Sequence, residues 1–221
     1  MPTRKHSQAI ASPRAPLATE SRSRGFVVAM AGLGLALSSS LADEALPPTH
    51  VDDFTGHPRL VIISDIGNEP DDQMSFVRLL LYSNGLDIEG LIATTSTWQK
   101  TSSHPETMHT LIRAYGRVRP TLLLHAKSWP TAEDLDNRVF AGQPAYGMAA
   151  TGKNKMSEGA KAIIRAADRK DPRPLDLYPG GANTLAQALL DVRASRNQDD
   201  VEKLLAKLRV YSISDQDDAG P

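Results

Sequence analysis

Four carboxylates fall within eight residues of one segment: Asp65, Glu69, Asp71 and Asp72 in "SDIGNEPDDQ" (residues 64–73). The apolar run "RLVIIS" (59–64) ends as they begin. Two kinds of chemistry suit that placement. Acids in the first turn of a helix are stabilised by its dipole, by about 0.3–1 kcal/mol each. Asp71 and Asp72 follow Pro70, a residue suited to the first helical position. Capping leaves Asp65 and Glu69 unexplained. Carboxylates converging on one turn repel one another, and a bound cation relieves that repulsion. The chain has no cysteine, so its available ligands are oxygen and imidazole, a hard set that favours Ca2+ or Mg2+ over zinc. A Mg2+-dependent phosphoryl-transfer loop would carry a second acid two residues after its nucleophilic aspartate. Gly67 occupies that place.

Bringing these groups together needs a strand to deliver Asp65 and a helix to deliver the aspartate pair. "RLVIIS" is a short β-branched run suited to a strand buried on both faces. In "DDQMSFVRLLLYS", Met74, Val77, Leu80 and Leu81 recur at helical spacing, and Asn84–Gly85 predicts the stop. "DIEGLIATTS" predicts a second strand, "PETMHTLIRAYGRV" a second helix opening on Pro105, and "TLLLHA" (121–126) a third strand. Residues 127–156 read as irregular, and are long enough for a lid or substrate rim. "SEGAKAIIRAAD" predicts a helix capped by Ser157, and "PLDLY" a weak strand. "GGANTLAQALLDVRAS" predicts a glycine turn and a helix, "VEKLLAKL" another helix, and "RVYSIS" a last strand.

This alternation predicts an α/β fold, a Rossmann-like, mostly parallel sheet with helices on both faces. Ligands of such sheets sit beyond the carboxyl ends of the strands. Three clusters are expected there: "DIGNEPDD", "PGGANT" and "DQDD" (215–218), the last contributing to the rim of the site. No helix follows the last strand, so the fold is expected to be incomplete at its C-terminus.

With 221 residues, 40% hydrophobic and 23% charged, the chain can build one ordinary core and is not disordered throughout. A formal charge of −1 provides no footprint for a nucleic acid polymer or an anionic membrane. Arg4, Lys5, Arg14, Arg22 and Arg24, against Glu20 alone, precede the apolar "FVVAMAGLGLAL" (26–37). About a dozen apolar residues suit a signal-peptide core and fall short of the roughly 20 that span a membrane. Residues 1–42 therefore read as a signal peptide cleaved after Ala42, residues 43–58 as a linker, and residues 59–221 as the domain. Cleavage would leave 20 basic and 25 acidic residues, a formal charge of −5, on a secreted or periplasmic protein free of the membrane.

Through "SDIGNEPDDQMSFVRLLLYS", "DIEGLIATTSTW", "SWPTAEDL", "GGANTLAQAL" and "LRVYSISDQDDAG", the chain resembles a secreted nucleoside-hydrolase-like family described as cellulose-binding. The likeness covers about residues 59–221 and implies the N-terminal part of a nucleoside hydrolase-like fold. It implies Ca2+ as cofactor, held by Asp65, Asp72 and the main-chain carbonyl of Pro179. Asp71 would be the catalytic base that activates a water to attack an oxocarbenium-like anomeric carbon. Gln99 falls where such enzymes carry a sugar-contacting Asn, and Asn183, Trp98 and Asp217 complete the implied substrate-binding set. An exposed aromatic plane at Trp98 or Trp129 could stack on a sugar ring.

The implied function is hydrolysis of an N-glycosyl or related sugar bond with a calcium-activated water. The alternative is a non-catalytic carbohydrate (cellulose)-binding protein of the same fold. Either way the partner is a sugar-containing small molecule or a polysaccharide. The chain departs from nucleoside hydrolases in several places. Two extra residues separate Gly67 from Asp71, Ile63 stands where another aspartate is common, and Asn183 comes one place early in its glycine turn. Pro179 replaces a Trp common in the secreted family. By the resemblance to nucleoside hydrolases, their last calcium-ligating Asp and leaving-group His are expected from a C-terminal part that this sequence does not reach.

Overall fold

A computed structural model describes residues 54–67 and 69–212. The proposed signal peptide, most of the linker, and the "DQDD" cluster with Asp217 lie outside the described residues. Five strands form one sheet in the order β3-β2-β1-β4-β5, every neighbouring pair parallel. They are β1 (Arg59–Ser64), β2 (Asp87–Ala93), β3 (Val139–Ala141), β4 (Leu175–Pro179) and β5 (Leu208–Val210). The chain runs outward from β1 to β2 and β3, then returns to the other side of β1 for β4 and β5. The strand order therefore reverses between β1 and β4, and a crevice opens at such a switch point beyond the strand ends.

Alternation along the strands supplies two cores, one on each face. Leu60, Ile88, Leu91 and Ala93 pack with α1 (Pro70–Tyr82), α2 (Pro105–Leu122) and α3 (Ala132–Asp136), through Phe76, Leu80, Met108, Ile112, Tyr115 and Leu135. Val61, Ile63, Ile92, Leu175 and Leu177 face the opposite way, onto α4 (Glu158–Asp168), α5 (Asn183–Ser195) and α6 (Gln198–Leu205). The small residues of α4, Ala160, Ala162, Ala166 and Ala167, let that helix lie close to the sheet. Gly159 makes the closest approach: a Cβ there would stand 2.7 Å from Ile92 Cγ2. The Ser157 hydroxyl caps α4 by accepting the Ala160 N–H at 3.2 Å.

The structure corrects the expected third strand. "TLLLHA" is the end of α2 and the turns that follow it, with Leu123 N–H donating to Arg119 O and Ala126 N–H to Leu122 O. Leucine is a strong helix former, and Met108, Ile112 and Tyr115 already commit this segment to a helical stripe. Pro120 lies in the last turn, and the helix ends two residues later. The vacant strand position is taken by Val139–Ala141, inside the region expected to be irregular. That region also holds α3, opened by a capping box in which Thr131 and Asp134 exchange hydrogen bonds.

Candidate functional site

An open cleft of about 400 Å³ lies at the switch point. The end of β1 supplies Ile62, Ile63, Ser64 and Asp65, α1 supplies Asp71, Asp72, Ser75, Phe76 and Leu79, and the end of β4 supplies Tyr178, Pro179 and Gly180. Tyr211, just past β5, completes the lining. Four residues singled out in the sequence, Asp65, Asp71, Asp72 and Pro179, are thereby brought to one cavity.

Local geometry explains how they meet. Pro70 is the first residue of α1, and Asp71 and Asp72 occupy its first turn. Gly67, with φ +108°, turns the chain between strand and helix, and its missing Cβ leaves room for the His104 ring, which lies 3.0 Å from where that atom would be. From the other side, Gly180 N–H donates to Ile63 O at 2.6 Å and draws the end of β4 against β1. A Cβ on Gly181 would collide with the carbonyl oxygen of Thr95, so this double-glycine turn has no room for a side chain.

Asp65 is 3% exposed. Asp71 is exposed and Asp72 half-buried. The Asp72 carboxyl is pushed up to about 6, by burial first and then by the charges of Asp65, Asp71 and Glu69. A hydrogen bond from the Glu69 backbone N–H works in the opposite direction and is outweighed. No Lys, Arg or His stands among the described residues lining the cleft. Among the described residues no three His, Asp or Glu side chains converge at metal-site spacing. The calcium set implied by resemblance uses two carboxylates and a main-chain oxygen, and its members share this cleft. A buried carboxylate beside a second one, with a main-chain oxygen at the same cleft, is a donor set that fits a hard cation.

The implied sugar-binding residues are placed differently. Gln99 is buried, its amide 3.4 Å from Ile66 O and 3.5 Å from Thr94 O, so it braces the turn after β1 from behind and does not line the cleft. Asn183 is also buried, donating to Thr95 Oγ1 at 3.0 Å and Ala145 O at 2.6 Å. It belongs to a polar layer in which Thr94 and Thr184 hydroxyls lie 2.7 Å apart and Gln143 N–H donates to Thr184 Oγ1 at 2.9 Å. Trp98 is 67% exposed but does not line the cleft. Trp129 is a core residue whose Nε1–H donates to Leu122 O at 3.1 Å.

The two tyrosines of the cleft, Tyr178 and Tyr211, are not singled out by the sequence motifs. Strand alternation is the signal for the first: Leu175 and Leu177 point into one core, which turns Tyr178 to the opposite face.

A parallel sheet whose switch-point cleft carries carboxylates from the first strand–helix turn defines a nucleoside hydrolase-like α/β protein. Residues 59–221 match the family described as cellulose-binding Sde182, nucleoside hydrolase-like domain, and the chain belongs to that family. It is similar to a solved structure of a nucleoside hydrolase-related hypothetical protein from Saccharophagus degradans, associated with carbohydrate metabolism. The two are 40% identical with a TM-score of 0.72, over 74% of this chain and 40% of that one. The chain thus spans less than half the length of that relative. No curated protein matches it.

Proposed function

We propose that the strand-end cleft binds the sugar part of a carbohydrate, with Ca2+ held by Asp65, Asp72 and the main-chain carbonyl of Pro179. One observation carries this reading: Asp65, which is buried, lines one cleft with Asp72 and Pro179, and its charge helps to raise the Asp72 pKa. That arrangement is unfavourable alone and becomes favourable with a cation between the carboxylates. When bound, calcium would neutralise the pair and offer coordination positions to vicinal sugar hydroxyls. The family's cellulose-binding description and the relative's association with carbohydrate metabolism support a carbohydrate ligand, and make β-1,4-linked glucose oligosaccharides the first probe.

Hydrolysis of a glycosidic bond is a second reading, favoured by Asp71. This carboxylate is exposed at the cleft, beside Asp72, and is free to accept a proton from an attacking water. The test is calorimetric titration of the full chain with Ca2+ and then oligosaccharide, alongside the Asp72→Asn and Asp71→Asn variants. The binding reading expects Ca2+ to bind the wild type and to lose affinity with Asp72→Asn; no Ca2+ binding to wild type overturns the metal site. Release of sugar from nucleosides or aryl glycosides by wild type, lost in Asp71→Asn while binding persists, would establish hydrolysis.

A further inference from the structure

The cleft has an aromatic wall as well as an acidic one. Tyr178 and Tyr211 stand with ring centroids 5.9 Å apart and planes tilted by 52°. Tyr211 is held there because its N–H donates to Leu177 O at 2.9 Å, which continues the β4–β5 ladder by one residue and sets the two side chains side by side. Neither ring belongs to a core: Tyr178 is 39% and Tyr211 70% exposed, and the helices packed on β4 lie on the other face. Pro179 and Gly180 follow Tyr178 directly, so the aromatic wall adjoins the residues that bring β4 against Asp65.

We propose that Tyr178 and Tyr211 form a stacking platform for the apolar C–H face of a pyranose ring whose hydroxyl edge is turned toward Asp65, Asp71 and Asp72. This rests on the carbohydrate reading of the same cleft and adds the residues that select for the sugar's shape. A pyranose is amphipathic: its hydroxyls radiate from the rim, and its axial C–H bonds leave a flat apolar face. A site that grips only hydroxyls would accept any polyol of the right stereochemistry. A site with carboxylates on one wall and tyrosines on the other requires the closed ring. Two rings tilted to one another make a shallow V, in which one plane covers the sugar face and the other meets its edge.

The experiment is titration of the full chain, with Ca2+ present, using cellotetraose and the open-chain alditol of glucose as probes. Tyr211→Ala, Tyr211→Phe and Tyr178→Ala are compared with wild type, and Ca2+ affinity is measured for each. Wild type is expected to prefer the ring compound to the alditol. Tyr211→Ala should weaken cellotetraose binding roughly tenfold and abolish that preference, Tyr211→Phe should restore both, and Ca2+ affinity should be unchanged. Tyr211 is mostly exposed, so its loss does not threaten folding. Cellotetraose affinity equal in wild type and both alanine variants would overturn the platform while leaving the carbohydrate reading intact. Tyrosine-dependent binding of cellotetraose without any Ca2+ binding would uphold the platform and overturn the metal site. No binding of cellotetraose by wild type would overturn the platform.

Discussion

Replacing Asp72 with asparagine is expected to stabilise the calcium-free protein. The carboxyl is pushed up from the ordinary aspartate range to about 6, a change that corresponds to about 3 kcal/mol. Asp72 is only half-buried, so screening by solvent reduces this to about 1 kcal/mol. The folded state holds the proton more tightly than the unfolded chain. The destabilisation is therefore absent below about pH 4, grows as pH rises through the interval to about 6, and is complete above it. Asparagine removes the charge and keeps an oxygen to accept the Glu69 N–H. Thermal unfolding in chelator, followed by circular dichroism, should give Asp72→Asn a Tm about 3 °C above wild type at about pH 7.5. The difference should vanish near pH 4. Saturating Ca2+ should invert the order, since wild type alone would gain about 2.7 kcal/mol at a hundredfold excess over Kd. A variant less stable than wild type in chelator at about pH 7.5 would refute the reasoning. An equal gain at both pH values would show that charge is not its cause.

Three other substitutions probe the scaffold. Gly181→Ala would force a methyl group into the Thr95 carbonyl; a loss of about 2 kcal/mol or more is expected in urea unfolding. Arg59→Ala would remove a fully buried guanidinium that donates to Glu89 Oε1 at 2.7 Å and Ala166 O at 2.8 Å. It should cost about 3–5 kcal/mol, with partial recovery on adding Glu89→Gln. Thr184→Val keeps the shape but leaves the buried Gln143 N–H without its acceptor, and should lower stability by about 2 kcal/mol with a matching fall in the urea midpoint.

The acidic half of the cleft was legible because local signals agreed. A β-branched run, a glycine, Pro70 and an aspartate pair specify a strand, a turn and a helix start within fifteen residues (59–73), and the parallel sheet then sends Asp65 to its carboxyl edge. The strand expected at residues 121–126 failed because three leucines in a row have no period, and the helical stripe upstream decided their conformation. β3 was missed because a three-residue strand exists only through its pairing with β2. Gln99 and Asn183 were placed at the right end of the sheet, but which side of a turn a side chain takes depends on packing that spacing does not encode. Their amides bond to buried backbone and hydroxyl groups. Arg59 shows the same limit. β1 and β2 slip register between Leu60 and Val61, leaving Glu89 outside the pairing, and that displaced residue is the acid that meets Arg59.

The two ends of the sheet treat their acids in opposite ways, and the contrast bears on function. At the amino-terminal end, Asp87, Glu89 and Asp171 are matched by Arg59, Arg169 and Arg173. Hydrogen bonds from Arg173, with the charge of Arg59, hold the Asp171 carboxyl well below the usual carboxylate range. A hollow of about 500 Å³ there is lined by charges already paired in this way, so it offers a ligand little net field. At the carboxyl end the field is uncompensated: Asp65, Asp71 and Asp72 line a cleft with no described base in it. A chain that pairs Asp87, Glu89 and Asp171 at one end has the means to do so at the other. Carboxylates left to repel one another at a switch-point crevice, costing stability that Asp72→Asn should recover, accord with the proposed cation, which would supply the missing positive charge. The same imbalance that weakens the free protein would then give the bound one its affinity.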